Sequence, residues 1–234
     1  MARVRILSGP ERSERAAIID GLLRERLGDA LLIVPTQRYA RARTVGLIAH
    51  SDLPGVWGKP IVSFDEFVEA LLRDTPYALR KIGPLAQRVY LERALALVRE
   101  QGDLAPFERA AETPGFITHV GRIIGQLTQG TVDPDAFEKR VASRNDARPI
   151  DRVVSAIYRT YQELLQNDGA YDAQGQYWMA DLCCTECRSP LFDRVRAIFV
   201  DGFDDFTPSE FRILVSMRPH LEAMTFGMPV DARP

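Results

Sequence analysis

An apolar run, Val4–Ser8, leads into Gly9, a polar stretch and then an amphipathic segment. A strand, a glycine turn and a helix N-terminus make a site for phosphate. The unpaired backbone N–H groups and the helix dipole there both favour an anion. The complete phosphate-binding loop is G-x-x-x-x-G-K-[ST]. This chain reads Gly9-Pro10-Glu11-Arg12-Ser13-Glu14-Arg15-Ala16. Glu14 replaces the second glycine, Arg15 the lysine, and Ala16 the hydroxyl that would hold magnesium. Glu14 brings a like charge toward the phosphate position, a repulsion of about 3 kcal/mol at ~5 Å and an effective dielectric of ~20. Arg15 is bulkier than a lysine point charge, and Ala16 removes a metal ligand. Gly9, Ser13 and Arg15 therefore outline a nucleotide-binding turn that has lost its working parts.

The acidic partner of such a turn is Asp201, in Val200-Asp201-Gly202-Phe203-Asp204-Asp205-Phe206-Thr207-Pro208. It ends a strongly apolar run, Val195–Val200, where a nucleotide-hydrolysing α/β fold places its magnesium-binding Asp. A Glu would follow to orient the attacking water; here that residue is Gly202. The rest of the string reads as a helix entry, with Asp205 or Thr207 as cap and Pro208 at the first helical position.

Other clusters have weaker claims on chemistry. Cys183, Cys184 and Cys187 contain a C-x-x-C pair, but a tetrahedral site needs four ligands. No second Cys or His pair lies near in sequence, so the expectation is small apolar residues at a helix end and no metal. Tyr158, Tyr161 and Tyr171, with Arg152 and Arg159, could stack bases. The helical spacing of Ile157, Tyr161 and Leu164 favours a packed helix instead. Trp57 sits in a Pro/Gly-rich loop, either as a partner contact or folded onto its own domain.

These residues need elements to position them. The first 75 residues alternate short apolar runs with helical stretches: strands at 4–8, 30–35 and 60–64, helices at 13–27, 37–49 and from 65. Near-continuous apolar strands are those of a parallel sheet covered on both faces. From Thr75 to Ser189 the pattern is almost wholly helical, at 84–101, 116–129, 134–141 and 149–167. A strand–helix–strand pattern then returns at 195–200, 208–217 and 222–228. The expected fold is α/β, a P-loop NTPase-like parallel sheet with helices on both faces and an all-helical insertion. The sheet domain would span 1–75 and 190–234, the insertion 76–189. The chain stops six residues after the last run, so a piece of something longer is expected.

The 234 residues carry a net charge of −2, which excludes a uniformly basic nucleic-acid coat but allows a local groove. Three of the 30 basic residues are Lys (Lys59, Lys81, Lys139) and the rest Arg. No apolar run reaches the roughly 18–20 residues of a membrane span. The N-terminus turns polar too quickly for a signal peptide, so a cytoplasmic location is expected.

Taken in order, the pieces resemble a known family. They are Arg5–Arg15; Ile33-Val34-Pro35-Thr36-Gln37; Ile61-Val62-Ser63-Phe64; Ile157-Tyr158-Arg159-Thr160-Tyr161; and Val200 to Pro208. The chain is similar to the N-terminal region of AddB-type (RexB in some lineages) subunits of bacterial ATP-dependent helicase–nucleases. Those subunits begin with a UvrD-like superfamily 1 helicase domain, often degenerate, and end in a PD-(D/E)XK nuclease domain. The resemblance implies a non-catalytic helicase-like domain in DNA double-strand break repair and recombination. Its whole protein would be an ATP-dependent exodeoxyribonuclease subunit. The implied partners are single-stranded or duplex-end DNA and a helicase–nuclease subunit of AddA type, with no membrane. DNA would meet Thr36, Gln37, Arg38 and Arg41 after the second strand, and Ser63, Phe64 and Asp65 after the third. No cofactor is expected, ATP and Mg entering only if the turn at Gly9, Ser13 and Arg15 with Asp201 still binds. The competing readings are an active ATPase using Gly9, Arg15 and Asp201, and a protein-docking module that never touches DNA.

Overall fold

The computed structural model describes residues 2–9, 14–49, 55–56, 58–186 and 189–229. Ser13, Trp57 and Cys187 lie outside the described residues, and the readings placed on them rest on sequence alone.

In chain order the elements begin β1 (Arg3–Gly9), α1 (Arg15–Glu25), β2 (Ala30–Val34), α2 (Gln37–Ala49), β3 (Ile61–Ser63) and α3 (Phe64–Leu72). Next come β4 (Arg80–Lys81), α4 (Pro84–Glu100), α5 (Glu108–Ala111), α6 (Pro114–Gln129), α7 (Pro134–Ser143), α8 (Pro149–Asn167) and β5 (Ala170–Tyr171). The order closes with α9 (Ala173–Glu186), α10 (Leu191–Arg194), β6 (Ala197–Val200), α11 (Pro208–Ser216), a 3-10 turn (Arg218–His220) and β7 (Ala223–Pro229). Two compact units result, one of residues 1–78 with 179–234, the other of 79–178. The second border falls inside α9, upstream of the 189–190 boundary expected from sequence.

The first unit is built on a five-stranded sheet in the order β1-β7-β6-β2-β3. Every neighbouring pair is parallel. The inner strands β2 and β6 are buried almost throughout, which is why they read as unbroken apolar runs rather than as alternation. On one face, Ile19 and Leu23 of α1 pack with Leu32, Val34 and Phe199. Fully burying each such side chain contributes roughly 1.5–3 kcal/mol.

Side-chain caps fix where several helices start. Ser63 accepts from Glu66 N–H at 3.3 Å while Glu66 Oε2 accepts from Ser63 N–H at 2.9 Å. Thr207 and Glu210 form the same reciprocal box before α11, with Pro208 at the first helical position.

The second unit packs α4, α6 and α8 around Leu91, Val98, Val120, Ile124, Ile157 and Leu165. Tyr158 and Tyr161 lie fully inside this core, and Tyr171 is also buried. The base-stacking reading of these tyrosines does not hold, because their faces are already packed. Tyr158 donates to Val132 O at 2.9 Å, and burial pushes its phenol up to about 12. Tyr161 donates to Asp172 Oδ2 at 2.7 Å; burial, then the Asp172 charge, hold its pKa above the ordinary tyrosine range.

Candidate functional site

The site forms where β1, β6 and the N-terminus of α1 come together. Asp201, immediately after β6, is 1% exposed, and both its oxygens are in ion pairs. Arg15 Nε donates to Oδ1 at 3.2 Å, and Arg43 Nη1 from α2 donates to Oδ2 at 2.9 Å. Arg15 Nη1 also donates to Gly9 O at 3.1 Å, tying the start of α1 to the end of β1. Arg43 reaches further: its Nη2 donates to Asp20 Oδ1 at 2.9 Å and to Ala16 O at 3.0 Å. Burial opposes the Arg43 charge. Hydrogen bonds to Asp20 and Asp201 more than offset it, and its pKa rises above the ordinary arginine value. Two guanidinium groups thus surround the one carboxylate that a magnesium ion would need.

The residues present do not fit a magnesium–nucleotide complex. The hydroxyl position is Ala16, whose carbonyl accepts from Arg43. A divalent cation ~5 Å from one guanidinium would be repelled by about 7 kcal/mol at an effective dielectric of ~20. Gly202 adds a backbone reason. Its φ is +84°, a region that L side chains adopt only with strain. A Cβ there would also lie 3.2 Å from the Tyr39 ring. The position where a hydrolytic Glu would stand is therefore shaped for glycine.

The rest of the string after Asp201 is anchored by packing. Phe203 is buried edge-to-face against Phe64 at 6.1 Å and stacks on Phe206 at 4.9 Å. Thr207, not Asp205, is the cap of α11.

The ends of β2 and β3 place the DNA-facing candidates unequally. Thr36 is exposed and caps α2, accepting from Tyr39 N–H at 3.2 Å. Gln37 is exposed and donates to Glu66 Oε1 at 3.0 Å. Arg38 and Arg41 are exposed and make no ion pair or hydrogen bond with the described residues. Asp65, in the first turn of α3, is exposed as well. Ser63 is buried and its hydroxyl is engaged in the α3 capping box. Phe64 is 1% exposed and packs edge-to-face on Phe67 at 6.0 Å. Neither Ser63 nor Phe64 offers its side chain to a nucleic acid; both hold the turn.

Cys183 and Cys184 are buried within α9. Among the described residues no group of three or more His, Cys, Asp and Glu is arranged to hold a metal ion. No described helix is long and apolar enough to cross a membrane.

A family model described as ADDB, N-terminal, matches residues 8–234. The chain belongs to this family. Its curated relatives are B-type subunits of ATP-dependent helicase/deoxyribonucleases. The one from Carboxydothermus hydrogenoformans is 22% identical over 228 residues, 97% of this chain and 20% of the relative. The one from Bacillus licheniformis is 24% identical over 247 residues, 96% of this chain and 20% of the relative. That of Desulforudis audaxviator is 26% identical over 214 residues, covering 87% and 17%. The chain spans about a fifth of the length of these relatives.

In this AddB-family chain, sequence reasoning missed three residues of the site: Arg43, Asp20 and Gly227. Arg43 was hidden among many arginines, yet a signal existed. It lies three residues after Ala40 and four before Leu47, on the buried stripe of α2. Arg38 and Arg41 fall off that stripe. Gly227 of β7 carried no signal, since its role depends on strand order. A Cβ there would sit 2.3 Å from Asp201 Oδ1, so only glycine leaves room for the carboxylate.

Proposed function

We propose that this AddB-family region is a helicase-like domain that holds single-stranded DNA and docks a partner helicase subunit of AddA type, without hydrolysing ATP itself. The observation that carries the reading is the Asp201 carboxylate, held by Arg15 at 3.2 Å and Arg43 at 2.9 Å. An internal cation pair occupies the electrostatic role that a magnesium–nucleotide would take. The relatives are named as one subunit of a helicase/deoxyribonuclease. A region kept in such a protein without a nucleotide site still has DNA and a partner to hold.

The DNA path follows the C-terminal ends of β2 and β3, where ligands of open α/β sheets sit. Thr36, Gln37, Arg38 and Arg41 are exposed there, and the two arginines are available for phosphates. The neighbouring groove along β2 and β3, of about 920 Å³, is a poorer candidate. It mixes Asp29, Glu66 and Glu69 with Lys59, Arg73 and Arg194, so no single sign of charge runs along it.

Fluorescence anisotropy with a labelled oligonucleotide over a salt series tests the proposal. Weak, sequence-independent binding is expected, with a shallow salt slope. Changing Arg38 and Arg41 together to Ala weakens binding and flattens the log–log slope by about 0.7 per lost contact. Absence of wild-type binding even at ~50 mM salt would leave the docking role alone.

A further inference from the structure

The helical unit carries a pocket of about 330 Å³ between α6, α7 and the start of α8. Its floor is apolar. Ile123, Phe137 and Ile150 are half-buried and packed on the core, and Val154 is part of that core. Its rim is charged and open to water, with Arg140, Arg144, Arg148 and Asp151 lining it. Three arginines thus meet one carboxylate there, in a chain whose net charge is −2.

That carboxylate is already engaged. Asp151 accepts from Arg148 N–H at 3.1 Å and from Arg148 Nη2 at 3.0 Å, which fixes the start of α8. Arg144 donates to Asp146 from Nε at 3.0 Å and from Nη2 at 2.9 Å. The Arg140 guanidinium makes no ion pair or hydrogen bond with the described residues. Asp151 raises the Arg148 pKa through its hydrogen bond and its charge, and the Arg144 charge opposes it, so these two guanidinium groups lie near each other. His119 also lines the pocket. Arg122 Nη2 donates to its Nδ1 at 2.9 Å, which leaves the ring proton on Nε2 as a further donor. Like charges gathered at one rim repel until an anion comes between them.

We propose that this pocket of the helical unit seats one nucleotide, with its phosphate on Arg140 and Arg144 and its base over Phe137 and Ile150. An arginine fork matches phosphate oxygens in pairs. An aromatic and apolar floor suits the face of a base. The volume lies at the small end of ligand pockets, which run from about 300 to 1,000 Å³, so it fits a single unpaired nucleotide and not a duplex. The wider groove of the same unit, of about 850 Å³, suits this ligand less well. Its Arg159 is already held by Asp135 and Glu138, and Asp103 adds a further negative charge. The nucleotide is either free or part of a single strand, and the chemistry of recognition is the same for both. Every residue of the pocket belongs to the helical unit, so the site does not rest on Arg38 and Arg41.

Nuclear magnetic resonance of the 234-residue chain, carrying Arg38→Ala and Arg41→Ala, tests the proposal. Titration with dAMP should shift the Arg140 and Arg144 Nε–H signals together with the Phe137 ring and Ile150 methyl signals. The midpoint is expected in the millimolar range, because the rim stays open to water. Adding Arg140→Ala and Arg144→Ala should weaken this binding about tenfold. The melting temperature should not change, since both side chains are exposed. Inorganic phosphate should move the arginine signals and leave Phe137 and Ile150 where they are. A short oligo(dA) giving the same shifts at lower concentration supports the proposal with a strand as the source. Shifts with dAMP alone support it with a free nucleotide as the source. No shift with either ligand overturns the proposal. So do shifts that survive in the Arg140→Ala, Arg144→Ala variant, and so do dAMP shifts confined to the arginines, which mark an adventitious ion only.

Discussion

Asp201 carries a buried charge that two arginines, Arg15 and Arg43, share. Arg15 and Arg43 are 9% and 11% exposed. Removing the shared carboxylate takes an ion-pair partner from each arginine, Arg43 keeping Asp20, and losing one partner of a buried pair costs about 3–5 kcal/mol. Asp201→Ala should therefore lower unfolding free energy by that amount in denaturant titrations. Combining it with Arg43→Ala should cost less than the sum of the single changes. A loss under about 1 kcal/mol for Asp201→Ala would mean that the ion network is not structural. At this scale sequence showed what was missing: the lysine, the hydroxyl and the hydrolytic Glu. It did not show what had replaced them, because Arg43 meets Asp201 across 158 residues. Phe64 and Ser63 illustrate the converse. Their types suited DNA, and their burial assigns them to packing and capping.

Among the elements, the start of α3 is sensitive to pH. Burial alone would raise the Glu66 pKa; hydrogen bonds from Ser63 and Gln37 and the Lys59 charge outweigh it and lower it below 4.5. A carboxylate with a depressed folded pKa stabilises the fold fully above its unfolded value and loses that contribution as pH falls through the folded one. Melting temperatures across about pH 6 to 3 should therefore fall more steeply in the wild type than in Glu66→Gln. Parallel curves would show that the capping box carries no proton linkage. Helices with Pro at their first position and strands with unbroken apolar runs were legible, to within a residue or two in α4, α8 and β2. The two-residue pair of β4 and β5 was not, since backbone pairing of two residues leaves no periodicity. Nor was α9, whose apolar residues do not gather on one stripe.

For the whole molecule, composition and the order of patterns gave an α/β sheet interrupted by helices. Strand order is what they could not supply. The placement of β7 between β1 and β6 is set by long-range pairing such as Val4 with Met224 and Ile198 with Met224. That placement puts Gly227 against Asp201 and leaves β1 at an edge. The central claim is that this fold has exchanged its nucleotide for an internal arginine–aspartate network. Calorimetric titration of the chain with Mg-ATP tests it most directly. The lost hydrogen bonds to phosphate cost about 1.5–3 kcal/mol each, so no saturable heat is expected below roughly millimolar ATP. A dissociation constant in the micromolar range would contradict the account.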